Sequence, residues 1–486
     1  DVAVLDSPWY RGEGEASLFL RTLQVAPSSE PLTLTVAKPS ARVARIGEDD
    51  AVTLTRDPNR PVTLRIDPHN ETIRVTLAIA GTGQPADFQR LVTDLDEPEP
   101  LQPLTEPGPS LWDQPVVTQG EVSPRAEAYV VDTVTLPFDN PWKALMFVGG
   151  HDFFSQPGRA ALCTVHGDVW LIDGLDDDLD RIEWRRFATG LFQPLGLKIV
   201  DDTIYVLGRD QITRLHDRDG NGEADFYESF NHDARTSAGG HDYSACLETD
   251  PDGNFYYISH QGVHRISADG STYETIATGF RNPNGMSVGP DGTITAAPQE
   301  GNWTPVSAVF EVKEGGYYGF GGPQVTPDRP LGYEPPVCWI PRLLDNSTGG
   351  QVWVTSDRWG PLEGQLLNLS FGQCRMLLTL REQVGDVTQG GSILFPLHFD
   401  SGIMRGRFSP HDGQLYLSGL RGWVSAAVQD GCLQRVRYTG APVNLPTGVT
   451  TRANGIALTF ASPLDPETAE DPGRFAVQQW NYRYSS

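Results

Sequence analysis

Lysine is nearly missing from this chain of 486 residues: only Lys38, Lys143, Lys198 and Lys313 occur, and none follows Lys313. With 37 Lys and Arg against 63 Asp and Glu, the formal charge is −26. A surface so short of cations repels phosphate backbones and anionic headgroups, which argues against a nucleic-acid partner. Long apolar runs are also absent. None approaches the ~18 residues that a membrane-spanning helix needs, so no membrane insertion is expected. The five cysteines, Cys163, Cys246, Cys338, Cys374 and Cys432, show no C-x-x-C or zinc spacing, and an odd number leaves at least one unpaired. Disulfides therefore do not define this fold. Helical periodicity is almost absent as well.

What the chain does have is punctuation: 51 Gly and 38 Pro among 486 residues, well above the ~12% of average usage. That favours many short elements joined by turns. A 38% hydrophobic and 21% charged composition is enough for a sizeable core and excludes a disordered or collagenous chain. The first residue is Asp1, which leads us to expect a processed, exported protein, secreted or periplasmic.

Residues 1–92 alternate in period two, as in Leu32-Thr33-Leu34-Thr35-Val36 and Val62-Thr63-Leu64-Arg65-Ile66, and predict a β-sandwich. Pro, Glu, Asp and Gln dominate 93–127, which reads as a linker or surface strap. From 128 to 440 a unit recurs: a Gly- or Asp-containing turn, then a short strand with an aromatic two or three places in. The copies place residues 170, 205, 256, 295, 353 and 416 in equivalent positions, at spacings of 35 to 63 residues, and the copy at Thr295 lacks the aromatic. Repeats of this size predict an all-β, about six-bladed β-propeller. Residues 441–486 read as the start of a short Ig-like β segment, with strands at 454–460 and 474–478.

The most specific local signal runs from Asp217 to Glu228. It satisfies the calcium-loop template at Asp217, Asp219, Asn221 and Glu228, with Gly222 at the sharp turn, Asp225 as a further carboxylate and the Glu223 carbonyl as another oxygen. Hard oxygen ligands suit calcium, and the strand-like flanks make this a tied turn and not an EF-hand. A solvated Asp/Gly turn without metal is the alternative.

Two segments precede blade turns: Gly239-Gly240-His241-Asp242-Tyr243 and Gly279-Phe280-Arg281-Asn282-Pro283-Asn284-Gly285. Innermost propeller strands start near the axis, so His241, Arg281 and Asn282 are expected at one central mouth. Imidazole can take a hydroxyl proton, while Arg and Asn can hold an anionic or carbonyl-bearing partner. The bland alternatives are an Arg281 channel ion pair and a hydrogen-bonded turn role for His241. His151-Asp152 and His232-Asp233 are read as turn-stabilising pairs.

With these segments in view, 140–440 resembles the propeller of soluble quinoprotein sugar dehydrogenases and sorbosone-dehydrogenase-like proteins. "GFRNPNG" at 279–285 is similar to that family's cofactor segment. The resemblance implies pyrroloquinoline quinone as cofactor, His241 as catalytic base, and Gln193, Arg281, Asn282, Arg405 and Arg407 as cofactor-binding residues. Gly372 and Gln373 stand where the family would place a cofactor-binding Lys. "RFATGLFQPLGLKIV", "GGQVWVTSDRWGP", "GLRGW" and "QWNYR" look still more like propeller regions of large secreted bacterial proteins similar to membrane-bound dehydrogenases. Those regions are often followed by c-type haem domains, which implies a c-type cytochrome as electron acceptor. No C-x-x-C-H occurs here.

The function expected from these resemblances is an exported oxidoreductase acting on a sugar or polyol. The alternatives are a non-catalytic carbohydrate- or protein-binding propeller, and a polysaccharide lyase or hydrolase using His241 and Tyr243.

Overall fold

A computed structural model describes residues 2–13, 16–81, 85–106, 108–236, 239–422, 424–476, 478 and 482. The chain divides into two compact units, residues 1–109 and 110–486. It is all-β in character, with 46% strand and 5% helix.

In the first unit, one sheet orders the strands Val4–Glu13, Ala16–Val25, Ile73–Ala80 and Val43–Ile46, and the second orders Leu32–Ala37, Arg60–Ile66 and Val52–Asp57. The alternation seen in the sequence puts Val62, Leu64 and Ile66 inward against Leu23, Val25, Val75 and Leu77. A helix at Pro85–Thr93, which the sequence reading did not include, covers the outer face of the first sheet with Leu91 buried beside Leu18 and Leu20. Phe88, Leu91, Val92 and Leu95 follow its apolar stripe.

The second unit is a six-bladed propeller. The innermost strands of blades one to six are Val148–Phe153, Gly196–Val200, Ala245–Thr249, Gly285–Val288, Thr348–Trp353 and Gly402–Phe408. They pack side by side around the axis, and glycine makes this approach possible. A Cβ on Gly149 would come within 2.2 Å of the Pro194 carbonyl oxygen, and one on Gly285 within 2.4 Å of Gly350 Cα. The ring closes because Tyr129–Thr133 pairs antiparallel with Gly431–Tyr438 as the outer strand of blade six. Val116–Thr118 adds a fifth strand to blade one, so the stretch expected as a linker also supplies blade structure.

Each copy of the turn-plus-aromatic unit falls in a different blade. Tyr205, Tyr256, Thr295 and Tyr416 lie on second strands, Trp170 on the third strand of blade one and Trp353 on the innermost strand of blade five. That offset accounts for part of the unevenness of the spacings. The unit has a physical reason: Tyr256 and Tyr416 each donate a 2.9 Å hydrogen bond from the phenol to the aspartate of the preceding turn, Asp250 and Asp412.

Beyond the propeller, the hairpin Pro446–Arg452 and Gly455–Phe460 lies along blade five, where Glu382 accepts from the Thr451 amide. The expected strand at 474–478 is not formed among the described residues, a short 3-10 turn spanning Pro472–Arg474 instead. Most of "QWNYR" lies outside the described residues. No helix among the described residues is long and apolar enough to cross a membrane.

Candidate functional site

Innermost strands begin, and second strands end, at the same end of the propeller. Their flanking residues enclose an axial cavity of about 420 Å³. Phe147, Leu195, Tyr243 and Asn284 stand at the entries to innermost strands. Val165, Gln299, Phe371 and Leu420 stand at the exits of second strands. His241, Asn282, Pro283, Met404 and Arg421 complete much of the remaining wall. The cavity wall is therefore mixed, apolar side chains alternating with imidazole, phenol and amide groups.

Of the residues expected there, the structure brings His241 and Asn282 to the cavity. His241 is exposed. Asn282 takes a left-handed backbone (φ 38°), as Gln193 does before Pro194 (φ 47°), a strained conformation for non-glycine residues.

The other four expected residues are not among those lining it, and each has another engagement. The Gln193 amide oxygen accepts from Arg209 at 3.0 Å, and Arg209 stacks over Tyr243 with its guanidinium carbon 5.4 Å from the ring centroid. Arg281 donates to the Glu300 carbonyl and lies against Gly301, where a Cβ would come within 2.1 Å of the guanidinium carbon. Its burial lowers its pKa, against the pull of Glu300.

Arg405, 4% exposed, spans the axis beneath the mouth. It donates at 2.8 and 2.9 Å to the Leu195 carbonyl, at 2.7 Å to that of Asn284 and at 2.9 Å to that of Met404. Arg407 lies deeper, donating to both Glu248 oxygens at 2.6 and 2.8 Å and to the Leu247 carbonyl at 2.8 Å. Burial lowers its pKa, but Glu248 and Asp152 outweigh that and hold it well above the usual arginine value.

His151 and Asp152 are not turn residues. They lie buried on the innermost strand of blade one, where His151 Nδ1 bonds Ser418 Oγ of blade six at 2.7 Å. Asp152 accepts from the Ile199 amide at 2.9 Å and pairs with Lys198 at 3.1 Å and Arg407 at 3.8 Å. Burial and the Arg407 charge push the His151 imidazole down to about 3.

The acidic loop joins the outer two strands of blade two. Asp217, Asp219 and Asp225 bring carboxylate oxygens within 4.8 Å of one another, and left-handed Gly220 and Gly222 allow the loop to fold back. Asn221 bonds within it, its side-chain oxygen accepting from the Glu223 amide at 2.9 Å. Calcium takes about six to eight oxygen ligands, of which these three carboxylates would supply a part.

Glu228, expected to close the ring of ligands, does not join it. It sits on the strand Phe226–Asn231 and accepts from Arg214 at 2.6 and 2.7 Å, with His216 at 2.7 Å. Those partners lower its pKa. The Glu223 side chain is turned to Ser110 and the Trp112 amide.

Sequence reasoning did not single out Asn284, Gln299, Phe371, Met404 or Arg421 as site residues. Asn284 lies inside the quoted "RNPNG", so a signal was present. Gln299 gave none: it reaches the mouth because its amide bonds the Arg281 carbonyl at 3.0 Å, joining two loops.

No family model matches the chain, and no curated protein matches it. Soluble sugar dehydrogenases are among its neighbours in fold. It is similar to a putative oxidoreductase (glucose dehydrogenase) from Thermus thermophilus, at 16% identity and TM-score 0.49 over 63% of this chain and 99% of that one. It is also similar to a PQQ-bound aldose sugar dehydrogenase from Streptomyces coelicolor, at 13% identity and TM-score 0.46 over 68% and 100%. A gluconolactonase from Xanthomonas campestris is similar at 14% identity and TM-score 0.41 over 63% and 89%.

Pyrroloquinoline quinone carries three carboxylates, and its fit is decided by the cations available at the mouth. Among the described residues lining the cavity one guanidinium occurs, Arg421, whose side chain is 57% exposed and stands 3.6 Å from Asp430. Arg281, Arg405 and Arg407 are engaged elsewhere. The residues present do not fit that cofactor in the way the resemblance implies.

Proposed function

We propose that the axial mouth takes a sugar or polyol and that the chain acts there on a hydroxyl group, with His241 as proton acceptor. The observation that carries this reading is the composition of the wall. Asn282, Asn284, Gln299, Tyr243 and His241 offer donors and acceptors beside the apolar surface of Phe147, Leu195, Phe371 and Met404. A sugar ring has the matching pair of surfaces, hydroxyls at the edge and C–H groups on the face. The hydroxyl proton passes to His241 and the hydride on the same carbon to a two-electron acceptor, which the redox dye supplies in a dye-linked assay. Export, and electron delivery to a c-type cytochrome, belong to the same proposal and are tested by cell fractionation and cytochrome c reduction.

A second reading, sugar recognition without turnover, is favoured by the engagement of Arg281, Arg405 and Arg407 away from the mouth. Calorimetric binding and dye-linked oxidation over a panel of aldoses and polyols separate the two. Under the first, His241→Gln lowers turnover by about 10²- to 10⁴-fold while binding persists. Under the second, binding occurs, no dye is reduced and His241→Gln is tolerated. A panel in which nothing binds the mouth would sink both.

A further inference from the structure

We infer that the mouth is built for an uncharged ligand and excludes the tricarboxylate quinone that the sequence resemblance implies. This rests on the mouth being the ligand site.

Four further guanidiniums lie next to lining residues or beneath them, and none of the four lines the cavity. Arg405 is the decisive one. Its hydrogen bonds tie the Leu195 and Asn284 carbonyls of blades two and four to blade six. Turning it upward would break four hydrogen bonds to three carbonyls, of which that of Leu195 would keep the Cys246 amide at 3.1 Å, so its charge is held at the floor of the cavity. Arg407 is committed by its two bonds to Glu248. Arg281 is held by the Glu300 carbonyl, and Arg209 donates to Gln193 and to the Gly239 carbonyl at 2.5 Å.

What remains lining the cavity is Phe147, Leu195, Phe371, Met404 and Leu420 beside neutral amides, His241, and one guanidinium, the exposed Arg421, whose charge is offset by Asp430 at 3.6 Å. A carboxylate pressed against such a surface loses its hydration without gaining a charge-assisted partner. The chain's charge of −26 adds a long-range field that opposes an approaching anion. Calcium bound at Asp217, Asp219 and Asp225 would not offset this, because none of these residues lines the cavity.

Two probes that differ only at C6, a hydroxymethyl group against a carboxylate, test the inference on the full chain in calcium-containing buffer: p-nitrophenyl β-glucopyranoside and p-nitrophenyl β-glucuronide, titrated by calorimetry. Pyrroloquinoline quinone is followed separately by co-elution in gel filtration. The expected result is that the glucoside binds, the glucuronide binds at least about tenfold more weakly and the quinone elutes free. Phe371→Lys, which places an ammonium in the wall, is expected to reverse the glucoside preference. Gln299→Lys serves if circular dichroism shows that the first variant is misfolded.

Stoichiometric co-elution of the quinone, equal binding of the two probes, or an unchanged preference in the folded lysine variants would each overturn the inference. Binding of neither probe would fail it at its foundation, the mouth itself, an outcome distinct from binding without charge preference.

Discussion

Asp345 is fully buried, and among the described residues its carboxylate accepts only from Ser370 Oγ at 2.6 Å and Asn368 Nδ2 at 3.2 Å. Burial pushes its pKa up to about 7, beyond what the two hydrogen bonds restore. A carboxyl whose folded pKa is raised releases its proton at lower pH when unfolded. Its contribution to stability is therefore present at acid pH and is lost as pH rises from about 4, the unfolded value, through about 7. Asp345→Asn is expected to raise stability at pH 8 by roughly 2 kcal/mol, after an allowance for an imperfect bond to Asn368. No gain is expected at pH 4, and urea unfolding at both pH values checks this. The same scale shows why arginine roles were illegible in the sequence. Arg405 and Arg407 stand two apart on one strand and share a face, but whether a guanidinium points into a mouth or binds the carbonyl beneath it depends on Leu195, Asn284 and Glu248, none of them a sequence neighbour.

At the scale of elements, loops that close on themselves were the most legible. The 217–225 loop carries its own logic: Asp217 accepts the Gly220 and Gly222 amides, and Asp225 accepts those of Arg218 and Asp219. The end of the template lies elsewhere in the structure. Glu228 is already on a strand, where its cross-strand partner is Arg214, and an ion pair across a ladder outcompetes a reach back into the loop. Calcium is therefore expected to raise the melting temperature, and at 100 times Kd the gain is about 2.7 kcal/mol. Asp219→Ala should abolish the rise and Glu228→Gln should leave it intact. Thermal melts in calcium and in EGTA measure both, and no difference between those buffers for the unaltered chain would remove the metal. The short-range turn-plus-aromatic units were read for the same reason as the loop. The helix at Pro85–Thr93 was missed because a Pro- and acid-rich flank masked its one buried stripe.

At the scale of the whole molecule, the number of blades was legible from repetition, but the closure was not. The strand that seals the ring, Tyr129–Thr133, pairs with residues some 300 positions later, and no local pattern marks that partnership. Its chemistry is concentrated at Asp132, which is fully buried. Arg435 and Arg437 donate to it at 2.9 and 2.8 Å through Nε, Arg437 Nη2 adds a 3.0 Å bond, and the Ser123 amide adds one at 2.8 Å. Burial raises the pKa of this carboxylate, but the two guanidiniums and the amide together hold it below the ordinary value. Its contribution is therefore present above the unfolded pKa of about 3.9 and is lost as pH falls through the lower folded value. Asp132→Ala leaves two arginines facing each other at the seam, one of them, Arg435, only 1% exposed. Removing one partner from a buried ion cluster costs about 3–5 kcal/mol. The loss should appear as a lower urea midpoint and as faster hydrogen exchange in Gly431–Tyr438 before the strands of blades two to four. A variant that unfolds at the original midpoint, with the seam protected as before, would show that closure rests on strand pairing alone and not on the carboxylate.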